Sequence, residues 1–279
     1  MRPIDWADAK GSFKGREMQT VTLKIVDSVA TIVMDRSKSR NALNGQLVAD
    51  LQQAFSDVHQ EKRVRAVVLT GAGDSFCSGV DLKSFAEILD LDEMESAQAW
   101  IEAWRQLTEL CEALLRFPKP VVAAVDGAAV GAGLAVALAC DLLVASDRAE
   151  LVANAAERGL VGGVTAPLLS FRFGTSIASR MLLTGSAVSA EEALRLGMCC
   201  EVVAPSQVWV AANEWAKRCG NAPRESLQAT KRMLNETIGE QLMIQLANGA
   251  AAGATICSTE SAAEGMRAFT EARQPDWPG

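Results

Sequence analysis

Short β-branched runs alternate with segments of helical period across residues 21–145, and this alternation constrains the fold more than any other feature of the chain. Residues 21–26 and 29–34 are two such runs separated only by Asp27 and Ser28, the pattern of a hairpin-like strand pair. Across 44–61, Leu47, Val48, Leu51, Phe55 and Val58 recur at helical spacing. A strand over 64–69 follows and ends at Thr70, Gly71, Ala72 and Gly73. The order then recurs. A helical segment at 97–115 precedes a strand at 120–125, a glycine-rich turn with a helix, and a strand at 142–145. Strands separated by helices require crossover connections and pair mostly in parallel, which defines an α/β class. The repetition is structural, and the sequence itself carries no detectable repeat.

Beyond 202–205 the character is wholly helical, with amphipathic segments at 208–219, 226–237 and 239–272. Three regions are expected: a loose leader at 1–17, a core at 18–205 and a helical region at 206–279. The apolar faces of the last are too generous for a small cap, so part of them is expected to pack on a neighbouring subunit. With 279 residues and 49% hydrophobic content, one full domain with an appendage is favoured over two independent domains.

A net charge of -7 with no basic stripe excludes a nucleic-acid partner, because phosphate binding needs clustered Lys and Arg. Seven cysteines (Cys77, Cys111, Cys140, Cys199, Cys200, Cys219 and Cys257) form an odd set without CxxC spacing, and read as buried free thiols in a reducing compartment. His59 is the single histidine, which leaves no zinc site, no other metal site and no His-dependent nucleophile to build. The N-terminus lacks a signal-peptide pattern and no apolar run approaches the ~20 residues of a membrane span, so a cytoplasmic protein with no membrane partner is expected. The alanine-rich stretch 128–140 reads as a buried helix.

Two segments carry chemistry. In 73–83 (GDSFCSGVDLK) the chain leaves a strand through a turn and enters a helix, where outward-pointing amides can hold an anion or a developing oxyanion. In 123–141 (AAVDGAAVGAGLAVALACD) a buried strand ends in a turn whose Gly131 and Gly133 permit close backbone approach to a ligand. Taken singly, the first could merely start a helix and the second merely pack one. Together, about fifty residues apart, they resemble the two halves of the signature of the crotonase (enoyl-CoA hydratase/isomerase) family. The resemblance extends from 35–44 (DRSKSRNALN) to 265–271 (GMRAFTE).

The resemblance implies a crotonase-like spiral of ββα units, a C-terminal helical trimerisation region, and a homotrimer or dimer of trimers. It implies an acyl-CoA ligand whose thioester carbonyl is polarised by the amides of Val80 and Ala132, with no cofactor besides the coenzyme A thioester. Ala132 stands where a glycine is commoner, and an alanine amide donates equally well. The acyl-CoA is expected to lie along Ser78, Val80, Asp81, Leu82 and Lys83, with Lys38, Arg40 and Ala42 toward its nucleotide end. Each basic residue is equally readable as a solvated surface charge.

The family's acid/base carboxylates are absent. The positions where its hydratases carry glutamates fall on Ala135 and Ala155, and the aspartate of some isomerases falls on Gly163. A positioned base contributes ~10²–10⁴ in rate, so ordinary hydration is expected to be crippled. Glu157 lies two residues past an expected position, about 200° away around a helix. Glu102, Glu109, Glu112, Asn154 and Ser78 are the remaining polar candidates, and the three glutamates read equally as solvated helix faces with i,i+3 or i,i+4 partners. The stretch 250–254 has no histidine, which disfavours the family's decarboxylases. Two readings follow: an acyl-CoA enzyme that works through a thioester enolate, or a catalytically silent acyl-CoA binding protein. Alanines in place of glutamates also predict an apolar pocket suited to a bulky acyl group.

Overall fold

The computed structural model describes residues 18–237 and 239–278, so the leader expected at 1–17 lies outside the described residues. The chain opens with the hairpin β1 (Val21–Val26) and β2 (Val29–Met34), then α1 (Gly45–Gln60), β3 (Ala66–Gly71), β4 (Ser75–Cys77), α2 (Leu82–Ile88) and α3 (Glu93–Arg116). Next come β5 (Val121–Val125), β6 (Ala128–Val130), α4 (Ala132–Ala139), β7 (Leu142–Ser146), β8 (Glu150–Val152), α5 (Thr165–Phe173) and α6 (Thr175–Thr184). It closes with β9 (Val188–Ser189), α7 (Ala190–Arg195), β10 (Glu201–Val203), α8 (Val208–Gly220), α9 (Arg224–Arg232), α10 (Glu240–Cys257) and α11 (Glu260–Thr270).

The larger sheet has the order β1-β2-β3-β5-β7-β10, antiparallel at the hairpin and parallel elsewhere. Its central strands are buried on both faces, which is why they read as continuous apolar runs. Val67, Leu69, Val121 and Ala123 face the main core, while Ala66, Val68, Val122 and Ala124 face α8 through its Val208, Ala212 and Ala216.

A second sheet, β4-β6-β8-β9, runs beside the first. The chain therefore repeats one move: β3 to β4 to helix, β5 to β6 to helix, β7 to β8 to helix. This is the ββα spiral. Strands of three residues carry no readable period, so sequence alone misses this sheet. The helix expected over 128–140 is corrected accordingly: 128–130 is strand β6, and the helix begins only at Ala132.

The segment 239–272 breaks at Thr259, whose hydroxyl caps α11. Its helices cover part of the chain's own core, with α10 on α3 and α5 and α11 on α2. Ile101, Leu183, Met233, Leu234 and Ile244 remain exposed. None of the described helices is long and apolar enough to cross a membrane.

One buried ion pair ties the helical region to the sheet. Lys231 Nζ lies 2.7 Å from Asp141 Oδ2, which also accepts from Val121 N at 2.8 Å, at the starts of β5 and β7. Removing one partner of such a pair strands the other. Lys231→Met is therefore expected to lower unfolding stability by about 3 kcal/mol, read from the urea midpoint; an unchanged midpoint would show that water already solvates Asp141.

Candidate active site

The loop before α1 is fixed by one side chain. Asn41, buried and at φ 55°, donates from Nδ2 to Ala72 O and Ser75 O at 2.9 Å each, while its Oδ1 accepts from Arg36 N at 2.9 Å. This staple lays the loop along the end of β4. Ser78 N donates to Arg40 O, Leu43 N to Gly79 O, and Asp81 N to Leu43 O, at 2.7–2.9 Å. Because Gly79 O and Asp81 N both face Leu43, the N–H of Val80 between them points to the opposite flank, as alternate groups on an extended strand do.

On that flank lies the start of α4. A Cβ built on Gly79, which sits at φ 94°, would lie 2.9 Å from Val130 O and 3.7 Å from Ala132 N. One built on Gly133 would lie 2.4 Å from Cys77 O, so the first turn of α4 seats directly on β4. Only glycines permit this approach. Ala132 opens α4, where the leading amides have no intrahelical acceptor. Among the hydrogen bonds of the described residues, neither Val80 N nor Ala132 N donates to a main-chain carbonyl. Cys77 beneath them is no nucleophile: burial pushes its thiol up to about 12, and its Sγ donates to Asn41 O at 3.0 Å.

The structure brings the predicted ligand residues to one place, with differing fates. Lys38, Arg40 and Lys83 are exposed, and Ala42 is buried. Ser78 Oγ donates to Ser39 O at 3.3 Å, and Leu82 packs against the core. The Asp81 carboxylate is engaged within the protein, capping α2 at Lys83 N (3.2 Å) and pairing with Arg36 Nη2 (2.9 Å). Sequence reasoning missed Arg36, which also donates to Ala42 O.

The three expected acid/base positions lie around this region. Ala135 is fully buried in α4, and Ala155 is half-buried in a single 3-10 turn over 155–158 rather than at the start of a longer helix. Gly163 has no room for a side chain: a Cβ would lie 2.5 Å from Gly249 O and 2.7 Å from Trp104 Cζ3. Trp104, missed by sequence reasoning, packs over Gly253 of α10 and donates from Nε1 to Cys257 Sγ at 3.4 Å.

The substitute carboxylates stand elsewhere. Glu157 accepts from Asn154 Nδ2 at 3.2 Å and lies against Gly185. Glu102 and Glu109 share Arg105, and Glu112 pairs with Arg116, all on the outer face of α3. Hydrogen bonds from Arg105 and then Gln106 hold the Glu102 carboxyl down at about 2, too acidic for a general base. The described residues contain no group of three side chains suited to a metal ion. A cavity of about 290 Å³ lies apart from this site, beside Leu138, Asp141, Arg172 and Cys199.

A ββα spiral with a helical C-terminal cap is the crotonase architecture. The sequence model of the family described as "Enoyl-CoA hydratase/isomerase" matches residues 24–279, and the chain belongs to that family. It is 33% identical to an (E)-benzylidenesuccinyl-CoA hydratase of Thauera aromatica, covering 93% of this chain and 99% of that protein. It is 31% identical to a short-chain-enoyl-CoA hydratase of Clostridium acetobutylicum, covering 92% and 97%. A solved carnitinyl-CoA dehydratase from Mycobacterium avium superposes with a TM-score of 0.78 at 30% identity, covering 92% of this chain and 98% of that one.

Proposed function

We propose that the protein binds an acyl-CoA thioester with its carbonyl oxygen on the N–H groups of Val80 and Ala132, and that these donors stabilise the enolate formed when a proton leaves the α carbon. The observation that carries this reading is a pair of main-chain amides, without carbonyl partners, drawn together by Gly79 and Gly133 at the joined ends of β4 and β6. Fixed donors aimed at a developing oxyanion are worth ~10²–10³ each, because they need no reorganisation as charge develops. Lys38, Arg40 and Lys83, exposed on the same rim, supply cations for the coenzyme A phosphates. The thioester is itself the only coenzyme required.

With alanine at 135 and 155 and a filled position at 163, the proton is carried by water, by the substrate or by a residue outside the family pattern. Alanines in place of glutamates at 135 and 155 favour an apolar, bulky acyl group, in keeping with the benzylidenesuccinyl group in the name of the Thauera relative. A homotrimer or dimer of trimers would bury Ile101, Met233 and Ile244, and the free cysteines suit a reducing cytoplasm.

The packing of Trp104 against Gly163 favours a second reading, a shell that holds acyl-CoA without turnover. One experiment separates the two. Saturated, 2-enoyl and 3-enoyl CoA thioesters are incubated with the protein in D₂O and read by mass spectrometry. Deuterium gain above a protein-free control is the expected result; binding without exchange across the panel would favour the silent carrier, and no binding would overturn both.

A further inference from the structure

At the opposite end of the sheet from the candidate active site lies a cavity of about 190 Å³, bounded by His59, Arg65, Pro118, Lys119, Arg224 and Leu227. Arg65 immediately precedes β3 and Lys119 lies two residues before β5, whereas the candidate site follows the far ends of these strands. Five or six residues of strand separate the two by roughly 20 Å.

The cavity concentrates positive charge in a chain whose net charge is -7. Among the described residues, no carboxylate lies within ion-pair distance of Arg65, Lys119 or Arg224. The nearby acid, Glu61, instead stands 3.8 Å from Arg63. The three cations donate to carbonyls: Lys119 Nζ to Val58 O at 2.5 Å and Glu61 O at 2.9 Å, Arg65 Nη2 to Ala222 O at 2.6 Å, and Arg224 Nη2 to Lys62 O. The carbonyls of Val58, Glu61 and Lys62 lie at the end of α1 and that of Ala222 just past α8, and each helix end carries only about half a negative charge through its dipole. Arg65 Nε is buried with no acceptor at all. Burial, and then the charge of Arg224, push the Lys119 ammonium down to about 8. Prolines on both sides of Lys119 fix the backbone that presents it.

We infer that this pocket is an anion site for a phosphate-type oxyanion, either free phosphate or the phosphomonoester of a small metabolite. A dianion with tetrahedral oxygens matches the two guanidinium groups and the ammonium that line the cavity. The volume admits a phosphate with a few further atoms and excludes a polymer.

The test is protection of Lys119. The full chain is treated at pH 8 with an amine-acylating reagent that labels unprotonated lysine, and labelling is read peptide by peptide. Inorganic phosphate is expected to slow Lys119 labelling about tenfold against chloride of equal ionic strength, with exposed Lys62 unaffected. Glycerol phosphate, a phosphomonoester of the size the cavity admits, runs in parallel. Protection by both supports free phosphate as sufficient, and protection by glycerol phosphate alone supports a phosphomonoester. Arg224→Gln, at an exposed position that leaves the fold intact, is expected to abolish most of the protection, measured as a ratio because the substitution itself changes Lys119. Equal labelling with and without either anion, or full protection in Arg224→Gln, would overturn the assignment.

Discussion

Replacing Ala132 with proline is expected to slow α-proton exchange by about 10²–10³ while leaving the fold intact. The substitution deletes one N–H and little else. Ala132 is the first residue of α4, the helical position at which proline is best tolerated because its missing N–H has no intrahelical acceptor. The residue before a proline is kept out of the α region, and Gly131, at φ 52° and ψ −119°, already lies outside it. The amide is met by no carbonyl, so the substitution breaks no main-chain hydrogen bond. Exchange in D₂O and acyl-CoA affinity are measured together. An enzyme loses rate far more than affinity, because the donor strengthens as the enolate forms; a silent carrier loses only one hydrogen bond to a neutral carbonyl, about 1 kcal/mol, or roughly fivefold in Kd. Wild-type values of both would remove Ala132 from the site.

The long periodic elements of this fold are legible in the sequence because each obeys a local rule. The apolar stripe of α1 predicts its span to within a residue, and Asn44 caps it by accepting from Leu47 N. The β1–β2 turn is visible as a break between two β-branched runs. β4, β6 and β8 are not legible, since three residues leave no period and their pairing partners lie tens of residues away. The candidate site divides the same way. Its glycines can be recognised, but the reason for Gly133 is the Cys77 carbonyl beneath it, which only the fold supplies. Asp81 shows the limit of motif reading. An aspartate before a helix looks the same whether it meets a ligand or caps its own helix, and only the 2.9 Å contact with Arg36 shows its carboxylate already engaged. A large apolar face, as on the C-terminal helices, does not by itself say how much of it meets the chain's own α3 and how much another subunit.

Placing a carboxylate at position 163 is expected to fail through packing. Gly163→Asp would place its Cβ 2.5 Å from Gly249 O and 2.7 Å from the Trp104 ring, and the first of these is backbone, which cannot move aside by changing rotamer. Overpacking costs about 1–3 kcal/mol, and a charge left unpaired in this buried place adds several more, so a loss of about 5 kcal/mol is expected, on the scale of a whole domain's stability. Should the variant not accumulate folded, Gly163→Ala reads the steric part alone, with about 1–3 kcal/mol expected in urea unfolding. The clash with Trp104 is separable from that with Gly249. Trp104→Ala by itself costs about 3–5 kcal/mol by opening a cavity, but in that background Gly163→Ala meets only the carbonyl. The pair should therefore be less destabilised than the sum of the single changes by about 0.5–3 kcal/mol. Strict additivity would mean that the indole does not press on position 163.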